Sequence, residues 1–339
     1  MRWLERYWYR ISPLHLVLWP LSLVFGGLVA LRRSLYRTGG LLKSARVPVP
    51  VIVAGNITVG GTGKTPLVIW LAGWLREHGC HPGVVCRGYG GSANAPQRAA
   101  VDSDPGVVGD EAVLLARRCG CPVWVGARRV AAVRALLAAH PECDTVISDD
   151  GLQHYSLARD IEIAVIDGER GFGNGMLLPA GPLREPLRRL ERVEALVVNG
   201  AALFPRAMLP FAVPALELTL GGSTFYNLLD PARQVGPERF ARQQVDAVAA
   251  IGNPGRFFGH LRALGISFVG RPFPDHHVYA AADFAGADVD AVLMTEKDAV
   301  KCERLGCGNF WALRIDAKVD PALGELILRK LGKQDCNGP

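Results

Sequence analysis

Cysteine pairs at metal-clip or redox spacing are missing from this 339-residue chain: eight cysteines stand at 80, 86, 119, 121, 143, 302, 307 and 336, and no two form Cys-x2-Cys. That argues against structural zinc and dithiol chemistry. Cys119-Gly120-Cys121 is too tight and isolated for a metal clip, so most of the thiols read as small core residues in a reducing cytosol. Internal repeats and low-complexity runs are absent too, which excludes repeat arrays and disordered tails as the main architecture. No Asn-Lys-x-Asp occurs to read guanine; Glu296-Lys297-Asp298 is only a partial echo. Nor is there a stripe of interleaved aromatic and basic residues on which bases could stack.

What is present bounds the chain further. With 49% hydrophobic and 21% charged residues it is long enough for two compact domains with proper cores. A formal charge of +6 points to an anionic partner, and charge alone does not choose among nucleotide, phospholipid surface, phosphorylated substrate and nucleic acid.

A β-branched run, Val51-Ile52-Val53-Ala54, enters Gly55-Asn56-Ile57-Thr58-Val59-Gly60-Gly61-Thr62-Gly63-Lys64-Thr65. This is the pattern of a phosphate-binding loop, in which successive backbone N–H groups and a helix N-terminus neutralise closely spaced phosphate charge. Gly60, Gly61 and Gly63 permit dihedrals and a close approach that a Cβ would block. The predicted nucleotide contacts are Thr58, Val59, Gly60, Gly61, Thr62, Gly63, Lys64 and Thr65, with Lys64 on the β- and γ-phosphates and the Thr65 hydroxyl on Mg2+. The strict pattern has glycine where Thr58 stands. Pro66 to Leu75 reads as the helix that follows, with Gly79 as its stop. A turn that binds nothing is the alternative, and such a turn has no need of Lys-Thr at the helix mouth.

Residues 1–46 differ from the rest. Trp3, Tyr7, Trp8 and Tyr9 lead into Leu14 to Leu31, mostly apolar but broken by His15, Pro20 and Ser22. Arg2, Arg6 and Arg10 precede the run, and Arg32, Arg33, Arg37, Lys43 and Arg46 follow it, so the heavier positive side adjoins the phosphate loop and predicts a cytosolic position for it. The segment is expected to lie at the headgroup level of an anionic leaflet. A single span is marginal in length, and a buried core helix is the remaining alternative. A cleaved signal is disfavoured, because only Leu31-Arg32-Arg33-Ser34 follows the run.

Beyond the loop, strand and helix patterns alternate, which predicts an α/β domain over 47–213: a P-loop NTPase-like parallel sheet covered by helices on both faces. Ala215 to Leu220 and Thr224 to Leu229, around Gly221-Gly222, read as a β-hairpin linker over 214–245. A smaller α/β domain is expected over 246–335.

Thr145-Val146-Ile147-Ser148-Asp149-Asp150-Gly151 is an apolar strand ending in two carboxylates, suited to holding Mg2+ opposite a phosphate loop, although Asp-Asp-Gly is also good turn chemistry. Asp110 and Glu111 open a helix, where an N-cap is the simplest role. His276, in Pro274-Asp275-His276-His277, is an ordinary loop histidine or, paired with a carboxylate, part of a general base. Arg87, Arg128 and Arg184 are candidate phosphate contacts or solvated side chains. Thr295-Glu296-Lys297-Asp298 ends a strand and reads as a helix cap.

Together these motifs resemble the tetraacyldisaccharide 4′-kinase family of lipid A biosynthesis, over most of the chain to about residue 330. The likeness is carried by the loop Gly55 to Thr65, where the family also has a hydroxyl residue at Thr58, and by Arg87-Gly88-Tyr89, Gly109-Asp110-Glu111, Asp149-Asp150-Gly151-Leu152-Gln153-His154, Leu183-Arg184-Glu185-Pro186, Asp275-His276-His277 and Thr295-Glu296-Lys297-Asp298. The resemblance implies transfer of the ATP γ-phosphoryl group to the 4′-hydroxyl of an acylated glucosamine disaccharide 1-phosphate at the cytosolic face of a Gram-negative inner membrane. By the same likeness Asp110 is the catalytic carboxylate working with His276, with Asp275 orienting the histidine. Asp149, Asp150, Glu111 and Thr65 serve Mg2+, and Arg87, Arg128, Arg184 and Asp275 face the acceptor. A membrane-associated P-loop GTPase or ATPase switch is the alternative reading. Nucleic acid is not an expected partner.

Overall fold

The computed structural model describes residues 7–9, 13–38, 42–210, 212–285 and 289–332. Arg2, Trp3, Arg6, Arg10 and Cys336 lie outside the described residues. In chain order the larger sheet takes β1 (Val51–Gly55), β2 (Pro82–Cys86), β3 (Gln97–Ala99), β4 (Val123–Val125), β5 (Thr145–Asp149), β6 (Ile161–Asp167), β7 (Ala195–Asn199), β8 (Ala215–Gly221) and, far downstream, β15 (Asp316–Val319). Across the sheet the order is β15-β8-β7-β6-β1-β5-β2-β4-β3. The strands from β8 to β4 run parallel, and only the two edge strands are antiparallel.

Parallel strands covered on both faces need apolar residues on both, and β1, β2, β5 and β7 are buried throughout. Ile52 and Ala54 pack toward α2 (Lys64–Glu77) and α3 (Asp110–Arg118), while Val51 and Val53 pack toward α4 (Arg129–Ala139). This topology brings Gly55, Asp149 and Asp167 together at the carboxyl ends of parallel strands, where ligands of such sheets bind.

The smaller sheet has the order β10-β9-β14-β13-β11-β12. It comprises β9 (Phe225–Asn227), β10 (Gln234–Val235), β11 (Val245–Ala249), β12 (Val269–Pro272), β13 (Ala291–Thr295) and β14 (Phe310–Leu313), with α5 (Pro254–Ala263) and α6 (Glu296–Cys302).

The runs around Gly221-Gly222 do not form a hairpin with each other: β8 pairs in parallel with β7 in the larger sheet, and β9 joins β14 in the smaller one. The two-stranded link is instead β8 with the returning β15, antiparallel, Gly221 facing Asp316. Gly222 sits where the outgoing and returning chains touch, and a Cβ there would meet the Arg314 carbonyl oxygen at 2.0 Å. Residues 246–335 are likewise not one domain, because β15 and α7 (Ala322–Lys330) belong to the larger unit. There a Cβ on Gly324 would lie 2.2 Å from the Trp74 ring of α2, so α7 docks through a glycine.

The N-terminal helix α1 (Leu14–Arg37) has its polarity reversed. His15 and Ser22 are its buried residues, while Leu16, Val17, Trp19, Leu21, Leu23, Val24, Leu28 and Leu31 are each more than half exposed. Only 11% of its most apolar window is covered by the rest of the chain, which removes the buried-core alternative. Its attachment is polar. Ser22 Oγ donates to the Leu177 carbonyl at 2.9 Å and accepts from Ala180 N–H at 3.0 Å, and Trp8 Nε1 donates to the Pro179 carbonyl at 2.9 Å.

Candidate active site

The loop between β1 and α2 is held open from outside. Val59 N–H donates to the Pro182 carbonyl at 2.9 Å, and Arg184 N–H donates to the Ile57 carbonyl at 2.7 Å. Gly63, at φ 92°, caps α2, and a Cβ there would lie 2.4 Å from Asn199 Nδ2, which donates to the Thr62 carbonyl. Among the described residues, the backbone N–H groups of Gly61, Thr62, Gly63 and Lys64 find no acceptor. Four unpaired donors at one helix mouth form an anion site. Lys64 Nζ lies between Asn56 Oδ1 at 3.1 Å and Asp150 Oδ1 at 3.3 Å.

Facing the loop are the carboxylates at the end of β5. Asp149 is 3% exposed, and its Oδ1 has no partner among the described residues. Burial first, then the negative charges of Glu111 and Asp150, push its carboxyl up to about 7. Behind it the buried Arg129 donates to the Gly126 and Asp149 backbone carbonyls at 2.8 and 3.1 Å, fixing the strand end. Asp150, at φ 48°, behaves oppositely. Burial would raise its carboxyl, but Lys64 and Arg184, the latter at 3.4 Å, hold it at about 2. Among the described residues no group of three or more His, Cys, Asp or Glu side chains could hold a metal ion alone. Mg2+, however, takes one or two carboxylates together with water and phosphate oxygens, and the orphaned Asp149 oxygen fits that use.

The raised Asp149 has a measurable sign. An acid whose folded value lies above its unfolded value costs stability once ionised, so this group makes stability fall as pH rises from about 4 through 7, by up to about 1.4 kcal/mol per pH unit. In thermal melts without nucleotide, Asp149→Asn is expected to raise Tm over the parent at pH 8 and to match it at pH 4. A Tm difference independent of pH would count against the raised carboxyl.

The third part of the site spans the two sheets. Asp110, 4% exposed at the start of α3, faces His276 from the loop after β12, with Nδ1 at 3.2 and 3.1 Å from its two carboxylate oxygens. Burial would raise the Asp110 carboxyl, yet the His276 hydrogen bond and the charges of Lys297, His276 and Lys301 hold it below the usual carboxylate range. His276 sits at φ 58° against the Tyr89 ring, their centroids 4.7 Å apart. The adjacent His277 turns away to Asp283 Oδ2 at 3.0 Å. Ion pairs along α3 and the inserted unit keep the surfaces in register: Arg118 with Glu296, Arg117 with Glu303 and Lys301 with Asp110.

The sequence model of tetraacyldisaccharide-1-P 4′-kinase matches residues 14–332. This chain belongs to the tetraacyldisaccharide 4′-kinase family. It is 51% identical to the tetraacyldisaccharide 4′-kinase of Methylobacillus flagellatus over 330 residues, covering 97% of this chain and 96% of that one. It is 50% identical to the Nitrosococcus oceani protein of the same name over 333 residues, 96% and 93% covered. Its fold is similar to the LpxK crystal structure from Aquifex aeolicus in complex with ATP, at TM-score 0.79 and 29% identity, with 94% and 99% covered.

Within this 4′-kinase fold most of the predicted residues converge. Lys64 meets Asp150, Asp149 feels the charge of Glu111, and Asp110 meets His276. Arg184 pairs with Asp150, whereas Arg87 and Arg128 are exposed. Asp275 Oδ1 lies 3.8 Å from His276 Nε2, beyond a hydrogen bond, and accepts instead from the His276 backbone N–H at 3.1 Å. Residue-level reading missed Asn56, Asn199, Arg129 and Arg170, whose Nη2 donates to the Gly252 carbonyl at 3.1 Å while its Nη1 lies over Gly60. Asn56 opens the loop right after β1 and could have been suspected; the other three carry no local signal.

Proposed function

We propose that this protein transfers the γ-phosphoryl group of ATP to the 4′-hydroxyl of a tetraacylated glucosamine disaccharide 1-phosphate, giving the 4′-phosphorylated lipid A precursor, lipid IVA. The names of its relatives supply the substrate class. The observation that carries the chemistry is the meeting of Asp110 and His276 across the two sheets, beside a loop with unpaired N–H donors. Phosphoryl transfer asks for positioned phosphates, charge stabilisation and a base for the attacking hydroxyl. Here the loop N–H groups and Lys64 hold phosphate oxygens, and Asp110, buried and hydrogen-bonded by His276, takes the proton from the acceptor hydroxyl. Asp149, Asp150 and Thr65 are the residues to hold Mg2+, with the remaining oxygen of Glu111 nearby; the ion, when bound, neutralises charge on the phosphates. Arg184, Arg87 and Arg128 are the residues assigned to the acceptor phosphate in this reading. A GTPase or ATPase switch needs no base at its loop and is not favoured.

The exposed apolar surface of α1 supports a position at the cytoplasmic face of the inner membrane, where an acceptor with four acyl chains resides. Helix α1 provides the apolar contact, and Arg32, Arg33 and Arg37 at its end meet anionic headgroups. The deciding experiment is transfer of labelled γ-phosphate from ATP with Mg2+ into tetraacyldisaccharide 1-phosphate in mixed micelles. Acceptor-dependent labelling is expected. Nucleotide hydrolysis indifferent to acceptor, with preference for GTP, would leave only the switch.

A further inference from the structure

Thr295-Glu296-Lys297-Asp298 reads in sequence as a helix cap, and Thr295 does cap α6, its Oγ1 accepting from Asp298 N–H at 3.2 Å. Lys297 has another occupation. Its side chain is 15% exposed, and Nζ lies 3.0 Å from Glu111 Oε1, 3.5 Å from Asp275 Oδ1 and 3.3 Å from Nε2 of His276. Set between the Glu111 and Asp275 carboxylates, the side chain acts there as an ammonium donor.

An ammonium group has three donors and no acceptor. Its contact with the imidazole is therefore a hydrogen bond only when Nε2 carries the lone pair. The ring proton then sits on Nδ1, and it points at the Asp110 carboxylate. The opposite tautomer would set an Nδ1 lone pair against that carboxylate and an Nε2–H against the ammonium, unfavourable at both ends. The Tyr89 ring at 4.7 Å supplies no competing charge.

We propose that Lys297 is a positioning residue that fixes His276 as the Nδ1–H tautomer, making Asp110 the proton acceptor and barring Nε2 of His276 from that task. Because Lys297 lies in the first turn of α6 in the smaller unit and also reaches Glu111 on α3, it sets this tautomer only when the two surfaces are docked. The kinetic consequence rests on the kinase reading above; the tautomer itself does not.

The test uses the full-length protein in detergent micelles with 15N-labelled histidine, the His276 signals being identified by their loss in His276→Gln. Long-range 1H–15N correlation is expected to show Nδ1–H in the parent and in Lys297→Arg, and a shift to Nε2–H or a doubly protonated ring in Lys297→Met. In parallel, Lys297→Met is expected to lose about 10²-fold in kcat with little change in the KM for ATP, and Lys297→Arg to restore most of it. An Nδ1–H ring and undiminished kcat in Lys297→Met overturn the proposal. Should Lys297→Met not fold, the parent decides: an Nε2–H or doubly protonated His276 there overturns it equally. A parent that transfers no phosphate but shows Nδ1–H sinks the kinase reading and leaves the tautomer assignment standing.

Discussion

Asp110→Asn is expected to lower kcat about 10³-fold while leaving the KM for ATP nearly unchanged. Asparagine keeps the shape of the aspartate and can still accept from His276, but it cannot take a proton. The lost interaction exists chiefly in the transition state, so it appears in kcat and not in nucleotide binding. Stability provides the control. Asp110 is buried among His276, Lys297 and Lys301, so removing its charge leaves two cations less well compensated, and some drop in Tm is expected. Assays well below the melting temperature separate that drop from the chemical loss. His276→Gln combined with Asp110→Asn is expected to cost little more than Asp110→Asn alone, because the two side chains act as one unit. Multiplying effects, or a single Asp110→Asn loss under tenfold, would place the base elsewhere.

Lys64→Met carries the second large effect, about 10³-fold in kcat, because it removes the point charge aimed at the phosphates. Methionine keeps the apolar stem in a slot where the side chain is 14% exposed. Arginine is not expected to rescue. The slot between Asn56 and Asp150 fits a compact ammonium, and a planar fork cannot satisfy both oxygens at 3.1 and 3.3 Å. The same change has a readout without substrate: Asp150 loses the largest influence opposing its burial while keeping that of Arg184, so its carboxyl moves up from about 2. Rapid-quench single-turnover assays measure the first effect, and carboxylate titration by NMR the second. Unchanged single-turnover rates in Lys64→Met would move phosphate stabilisation to another cation.

The parallel strands were legible because burial on both faces demands continuous β-branched runs, and Val51 to Ala54, Thr145 to Ser148 and Ala195 to Val198 supply them. The path between the sheets was not. Two extended runs around Gly221-Gly222 look like a hairpin locally, and only the position of β15, about a hundred residues later, shows that β8 has another partner. Strand β15 escaped notice because it is an edge strand of alternating exposure, Asp-Ala-Lys-Val, with no apolar run. In the site, the phosphate loop and the Asp149-Asp150 pair are contiguous motifs whose spacing is their chemistry. Asp110 and His276 are 166 residues apart, and each has an ordinary local role, cap or solvated loop. Family resemblance joined them; the residues alone did not. Lys297 went unread for the same reason, since its partners, Glu111 and the Asp275-His276 pair, come from two separate segments.

The segment that ties α1 to the phosphate loop has a consequence for what the enzyme can reach. Leu177 receives the Ser22 hydroxyl of α1, and Pro182 receives Val59 of the loop, five residue steps along the chain from each other. Fully extended, that tether spans at most about 18 Å. It sets an upper limit on the distance between the middle of the exposed apolar helix and the loop. In the membrane-bound arrangement proposed above, this short link limits how far the phosphate loop can stand from the helix while both attachments hold.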